Sequence, residues 1–84
     1  MKSVYLIKYI GGYTNVLCAT QSISRARRFM DKFAKYTAYN EKTAIKEFRD
    51  NEVIMENYTR IIISEITVFT SDRAFERSFG FSNF

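Results

Sequence analysis

Hydrophobic and polar positions recur with two different periods along this chain, and the changes of period mark out its elements. Val4 to Ile10 and Tyr13 to Ala19 are rich in β-branched and aromatic residues and flank Gly11-Gly12, the spacing of two strands joined by a two-residue turn. With such a turn, Val4, Leu6, Leu17 and Ala19 share one face, with Lys8 and Asn15 towards the tip. Tyr5, Ile7, Tyr9, Thr14, Val16 and Cys18 share the other, so both faces are largely apolar. From Ile23 to Tyr36 the period lengthens: Ile23, Ala26, Phe29, Met30, Phe33 and Ala34 fall at the three-and-four spacing of a buried helical stripe. Ser22 fits the N-cap, and Thr37 to Asn40 reads as a polar break.

Asn40 then reads as the cap of a second, shorter helix over Glu41 to Asp50. Ala44, Ile45 and Phe48 would face inward, with Lys42, Lys46 and Arg49 outward among acids. Asn51 to Thr59 fits either an extension of that helix or an extended piece, whereas Arg60 to Phe69 is a β-branched run with two apolar faces. A short helix from Ser71, carrying Ala74, Phe75 and Phe79, ends near Gly80. The expected architecture is a single α+β domain over residues 1–84. Its N-terminal β-hairpin and a third antiparallel strand form a small sheet, packed by two helices and a short C-terminal helix. A sheet with two apolar faces needs two covers. The first helix supplies one; the second helix, the Phe-rich tail or another copy of the chain supplies the other, and a homodimer or higher assembly is compatible with this pattern.

Composition narrows the chemistry more than the fold. A hydrophobic content of 46%, with six Tyr and eight Phe, is enough for one modest core. The single Cys18 cannot form an internal disulfide, and no apolar run of 18 residues exists, which together point to a cytoplasmic protein. There is no His, which removes the commonest general base and the common metal ligand, and one Cys without His excludes the usual zinc sites. Cys18 in a strand reads as core, not nucleophile. Glu47, Asp50, Glu52 and Glu56 form the only acidic cluster; it reads more simply as an exposed helix face than as a magnesium-dependent nuclease centre. No catalytic residue, metal or cofactor is therefore expected.

Charge singles out the first helix. Residues 1–39 carry seven Lys/Arg against one acid, Asp31, for a net +6, whereas residues 40–57 carry −2 and residues 58–84 balance. Arg25, Arg28, Lys32 and Lys35 form a row one face away from the apolar stripe, with Arg27 on the flank. Tyr36 and Tyr39 follow, placed to stack on unpaired bases. The plainer alternative is a solvated helix face with its tyrosines packed on the sheet; an acidic protein groove would also suit the row. A second candidate surface is the tail. Arg73, Arg77, Phe81 and Phe84 have the composition of a protein interface, although the tail's aromatic residues would more simply cover the chain's own spare sheet face.

In size, scarcity of cysteine, abundance of Tyr, Phe, Lys and Ile, and the strand-first start Lys2-Ser3-Val4-Tyr5-Leu6-Ile7, the chain resembles the small accessory proteins of T-even-like bacteriophages. The resemblance covers length and composition and carries no motif. It implies a host-takeover role: stoichiometric inhibition of a host protein such as a toxin or defence factor, in the host cytoplasm, with RNA held on the basic helix. A stand-alone nucleic-acid-binding regulator is the alternative.

Overall fold

The computed structural model describes residues 2–79. The chain runs β1 (Lys2–Ile10), β2 (Thr14–Thr20), α1 (Ile23–Asn40), β3 (Ile45–Phe48), β4 (Glu52–Met55), β5 (Arg60–Val68) and α2 (Asp72–Phe79). The strands form one antiparallel sheet in the order β2-β1-β5-β4-β3. The α+β class holds, but the expected three-stranded sheet with three helices does not.

The helix expected over Glu41 to Asp50 is replaced by a turn and β3, and the ambiguous stretch after it contains β4. Asn40 is accordingly the last residue of α1 and caps nothing. Helix α1 continues through the expected polar break because Thr37 is buried and Ala38 packs against the core. It ends where the Glu41 and Thr43 amides donate to the Thr37 and Ala38 carbonyls, with Lys42 in the left-handed region at φ 51°. A ten-residue helix beyond that point would be marginal by itself. Pairing β3 with β4 instead brings Ile45 opposite the fully buried Met55. Of the three residues expected to face inward, only Ile45 packs on the core; Ala44 and Phe48 are exposed.

The N-terminal hairpin forms as expected, with a different turn. Residues 11–13 make the loop, and the register then jumps from Lys8 opposite Val16 to Ile7 opposite Cys18. Leu17 is the extra residue of a β-bulge, so Asn15 and Val16 lie on the faces opposite to those a two-residue turn would give them. A Cβ at Gly11 would come within 2.7–2.9 Å of the Tyr9 ring and hydroxyl, so any other residue there would displace the Tyr9 side chain.

Helix α1 lies across one face of the sheet. Ser22 caps it by accepting from the Arg25 amide at 3.3 Å. Ala26, Met30 and Ala34 pack on Ile7, Val53, Met55 and Ile61, all fully buried. The opposite face presents Val4, Leu6, Ile10, Ile62, Ile66 and Val68 from β1 and β5, and among the described residues no helix covers it. Helix α2, capped by Ser71, meets the preceding segment through an edge-to-face contact of Phe75 with Phe69, 5.4 Å between ring centres. Among the described residues it packs on no strand and not on α1. The Cα radius of gyration is accordingly 16.0 Å, against about 12 Å for a compact chain of this length.

The far end of α1 is tied down by Glu41. Its carboxylate accepts from the Tyr9 hydroxyl (2.6 Å), the Thr59 hydroxyl (2.9 Å) and the Asn57 side-chain amide (2.9 Å), joining the helix to the β1 end and the β4–β5 turn. The Tyr9 hydrogen bond is the main cause that holds Glu41 below the usual carboxylate range, and the same bond pushes the Tyr9 phenol up. Glu41→Ala should destabilise the fold by about 1–3 kcal/mol in urea denaturation, since it leaves the buried Thr59 hydroxyl without its acceptor. Because the folded pKa of Glu41 lies below its ordinary 4.5, its contribution is full above that pH and is lost as pH falls through the lowered value. Tyr9, raised from 10.0, works in the other direction: stability declines as pH rises past 10. Glu41→Gln should flatten the acid limb of the stability–pH curve.

Candidate nucleic-acid interface

The outer face of α1 follows directly from how its inner face is used. With Ala26, Met30, Ala34 and Thr37 turned to the sheet, helical geometry turns Arg25, Arg28, Lys32, Lys35, Tyr36 and Tyr39 outward, and all six are exposed. Tyr36 and Tyr39 are 64% and 85% exposed, so neither packs on the sheet as the plainer alternative required. Because α1 continues to Asn40, Tyr39 stands on the same helix as the cations.

The expected cationic set divides on closer inspection. Arg25, Arg28 and Lys32 make no ion pair among the described residues. Lys35 is paired with Asp31 at 3.0 Å across one helical turn, so the lone acid of the helix blunts one end of the row. Arg27 leans towards the β3–β4 corner, donating to the Asn51 side-chain oxygen at 3.5 Å, and stands apart from the others.

Two residues join the site that periodicity assigns to the core. Phe29 and Phe33 are only half-buried, and with Lys32 and Tyr36 they line a shallow, apolar surface groove of about 410 Å³. Phe33 and Tyr36 also border a neighbouring recess of about 170 Å³ with Tyr9, Tyr13, Leu17 and Glu41. Tyr13 stacks obliquely on Tyr9, 5.1 Å between ring centres. The helix flank over the edge strand β2 is thus an aromatic track with cations along its outer side. Flat rings beside guanidinium and ammonium groups can hold unpaired bases while the charges meet the phosphates. The only sequence signal for Phe29 and Phe33 was their place at the margin of the apolar stripe.

Two of the four acidic residues weighed for catalysis, Glu47 and Glu52, are ion-paired. Glu47 pairs with Arg49 two residues on at 2.7 Å, and Glu52 is bridged by Arg60 from the neighbouring strand at 2.8 Å and by Arg49 at 3.6 Å, in place of a helix face. Among the described residues no group of three acids, Cys or His could hold a metal ion. Cys18 is half-buried, and burial pushes its thiol up, away from the reactive thiolate. Arg73 and Arg77 are exposed on α2, whereas Phe81 and Phe84 lie outside the described residues. No described helix is long and apolar enough to cross a membrane.

No family model, curated protein or solved structure matches the chain, so the site is read from its own chemistry. Its first test concerns Asp31. An exposed i,i+4 pair contributes only a few tenths of a kcal/mol, so Asp31→Asn should change thermal stability by less than about 0.5 kcal/mol.

Proposed function

We propose that this chain is a non-enzymatic inhibitor of phage type, which binds a host protein and holds RNA on the outer face of α1. The observation that carries the reading is the coincidence of exposed Arg25, Arg28 and Lys32 with the aromatic track of Phe29, Phe33 and Tyr36, with the exposed Tyr39 ring beyond it on the cationic side of the same helix. Cations alone would suit any anion; adjoining rings favour a strand with unpaired bases over an acidic protein groove. Arg73 and Arg77, on a helix that stands off the body, are the surface available to the host protein. The second reading, a stand-alone nucleic-acid-binding regulator, rests on the same track, which needs no protein partner to operate.

Labelled single-stranded RNA should bind the wild type with an affinity that falls as salt rises. Reversing Arg25, Arg28 and Lys32 to Glu should abolish binding while leaving the circular dichroism spectrum unchanged, since these side chains point away from the core. Tyr36→Ala and Tyr39→Ala should each cost about 1–3 kcal/mol of binding with little change in the salt slope, the signature of lost stacking. Asp31→Asn should tighten binding and steepen the slope by less than about one unit. Salt-independent or absent RNA binding by the wild type would remove the reading. Capture of one host polypeptide that survives nuclease treatment of the lysate, with its activity lost, separates the inhibitor from the stand-alone regulator.

A further inference from the structure

Strand β5 is paired with β1 along its whole length, but with β4 only from Arg60 to Ile62, and the Ile63 amide makes the last rung, to the Asn51 carbonyl. Beyond it, among the described residues, no strand lies beside Ser64–Val68 on the side away from β1. Antiparallel alternation fixes which groups face this edge. The Ile63 amide points towards β4, so the amides and carbonyls of Glu65 and Thr67 point the same way, and those of Ser64, Ile66 and Val68 point to β1. The free edge is apolar on its uncovered face, with Ile66 and Val68 42% and 41% exposed. Pro, Lys and Arg are absent from it, and its one charged side chain, Glu65, accepts from the Ser3 hydroxyl of β1 at 2.7 Å.

We infer that this edge is a homodimer interface in which β5 pairs antiparallel with β5 of a second copy, about a two-fold axis at Ile66. The occupant follows from self-complementarity. Centred on Ile66, the register sets Glu65 opposite Thr67 of the second copy, and Thr67 opposite its Glu65. Both are the outward-pointing residues, so each pair exchanges two backbone hydrogen bonds and all four free edge residues' groups are satisfied. Ile66 meets its own equivalent in the close, non-hydrogen-bonded position on the uncovered face, and Ser64 faces Val68. Centring on Glu65 instead would oppose two carboxylates. The pairing also ends where the chain requires it to end, since Val68 of the second copy reaches Ser64, just short of the rung to Asn51.

The full chain should sediment as a dimer of twice 9.9 kDa, and a monomeric mass at every concentration up to about 100 μM would overturn the inference. In a Cys18→Ser background, Ile66→Cys should form an intermolecular disulfide on mild oxidation, because the two Cα atoms would be about 4.5 Å apart. Val68→Cys, which faces Ser64 and not its equivalent, should not. Cross-linking at position 68 with none at 66 would equally overturn the register. Thr67→Pro removes an amide that faces the free edge and no bond to β1; it should leave the monomer folded and weaken dimerisation at least about tenfold, two hydrogen bonds being lost per dimer. A dimer whose affinity ignores this substitution places the interface elsewhere.

Discussion

One helix has to close a five-stranded sheet, and most of what is distinctive in this protein follows from that shortage. Ala26 and Ala34 leave room for α1 to settle closely on the sheet, while Met30 between them fills the space above Ile7, Val53, Met55 and Ile61. The helix can bury only one stripe, so its other side is committed to solvent whatever residues it carries. It also covers one face only, which leaves Val4, Leu6, Ile62, Ile66 and Val68 on a second apolar face that the described part of the chain does not cover. The Glu41 clamp matters in the same context. With no second helix behind it among the described residues, the far end of α1 is held by hydrogen bonds to Tyr9, Thr59 and Asn57.

The sequence announces elements where a strong period runs long enough, as in β1, β2, α1 and β5. It misleads between Asn40 and Thr59 for a physical reason. Ala44, Ile45 and Phe48 have helical spacing, and Lys42, Lys46 and Arg49 among acids read as the exposed face of one helix. Such charges serve equally well in a sheet, where Arg49 joins Glu47 and Glu52, and Arg60 joins Glu52 from the next strand. What decides between the two is tertiary: the exposed edge of β5 from Arg60 to Ile62 takes β4, and β4 takes β3. Local pattern cannot register a preference that comes from residues far along the chain. Nor does a glycine mark the end of α1, since Lys42 and not Gly adopts the left-handed turn.

The candidate site was legible in its charges and in Tyr36 and Tyr39, and illegible in Phe29 and Phe33. Arg25, Arg28 and Lys32 stand out because a core-facing stripe predicts where the other face must lie. Phe29 and Phe33 were assigned inward because large apolar residues beside such a stripe are ordinarily core. Their half-exposure depends on how far the sheet extends beneath that flank, and there it ends with the edge strand β2. The turn of Arg27 away from the row and the pairing of Lys35 within it depend on single partners, Asn51 and Asp31, of which only the second lies within reach of helix periodicity.

The two surfaces left over by the one-helix design fit together geometrically. An antiparallel pairing of two β5 strands has its two-fold axis perpendicular to the sheet, so the combined sheet keeps its faces: both α1 helices lie on one side and both uncovered faces on the other. The aromatic track runs on the β2 flank of α1, at the opposite edge of the sheet from the free part of β5, and dimer formation leaves it open. A dimer paired in this way would display two cationic tracks on a common side. A single RNA strand long enough to span them would be held twice, the second contact being made at the high effective concentration set by the first. Modest charge on each helix would then suffice for tight binding to long strands, and short oligonucleotides would reveal only the weaker, single-track affinity.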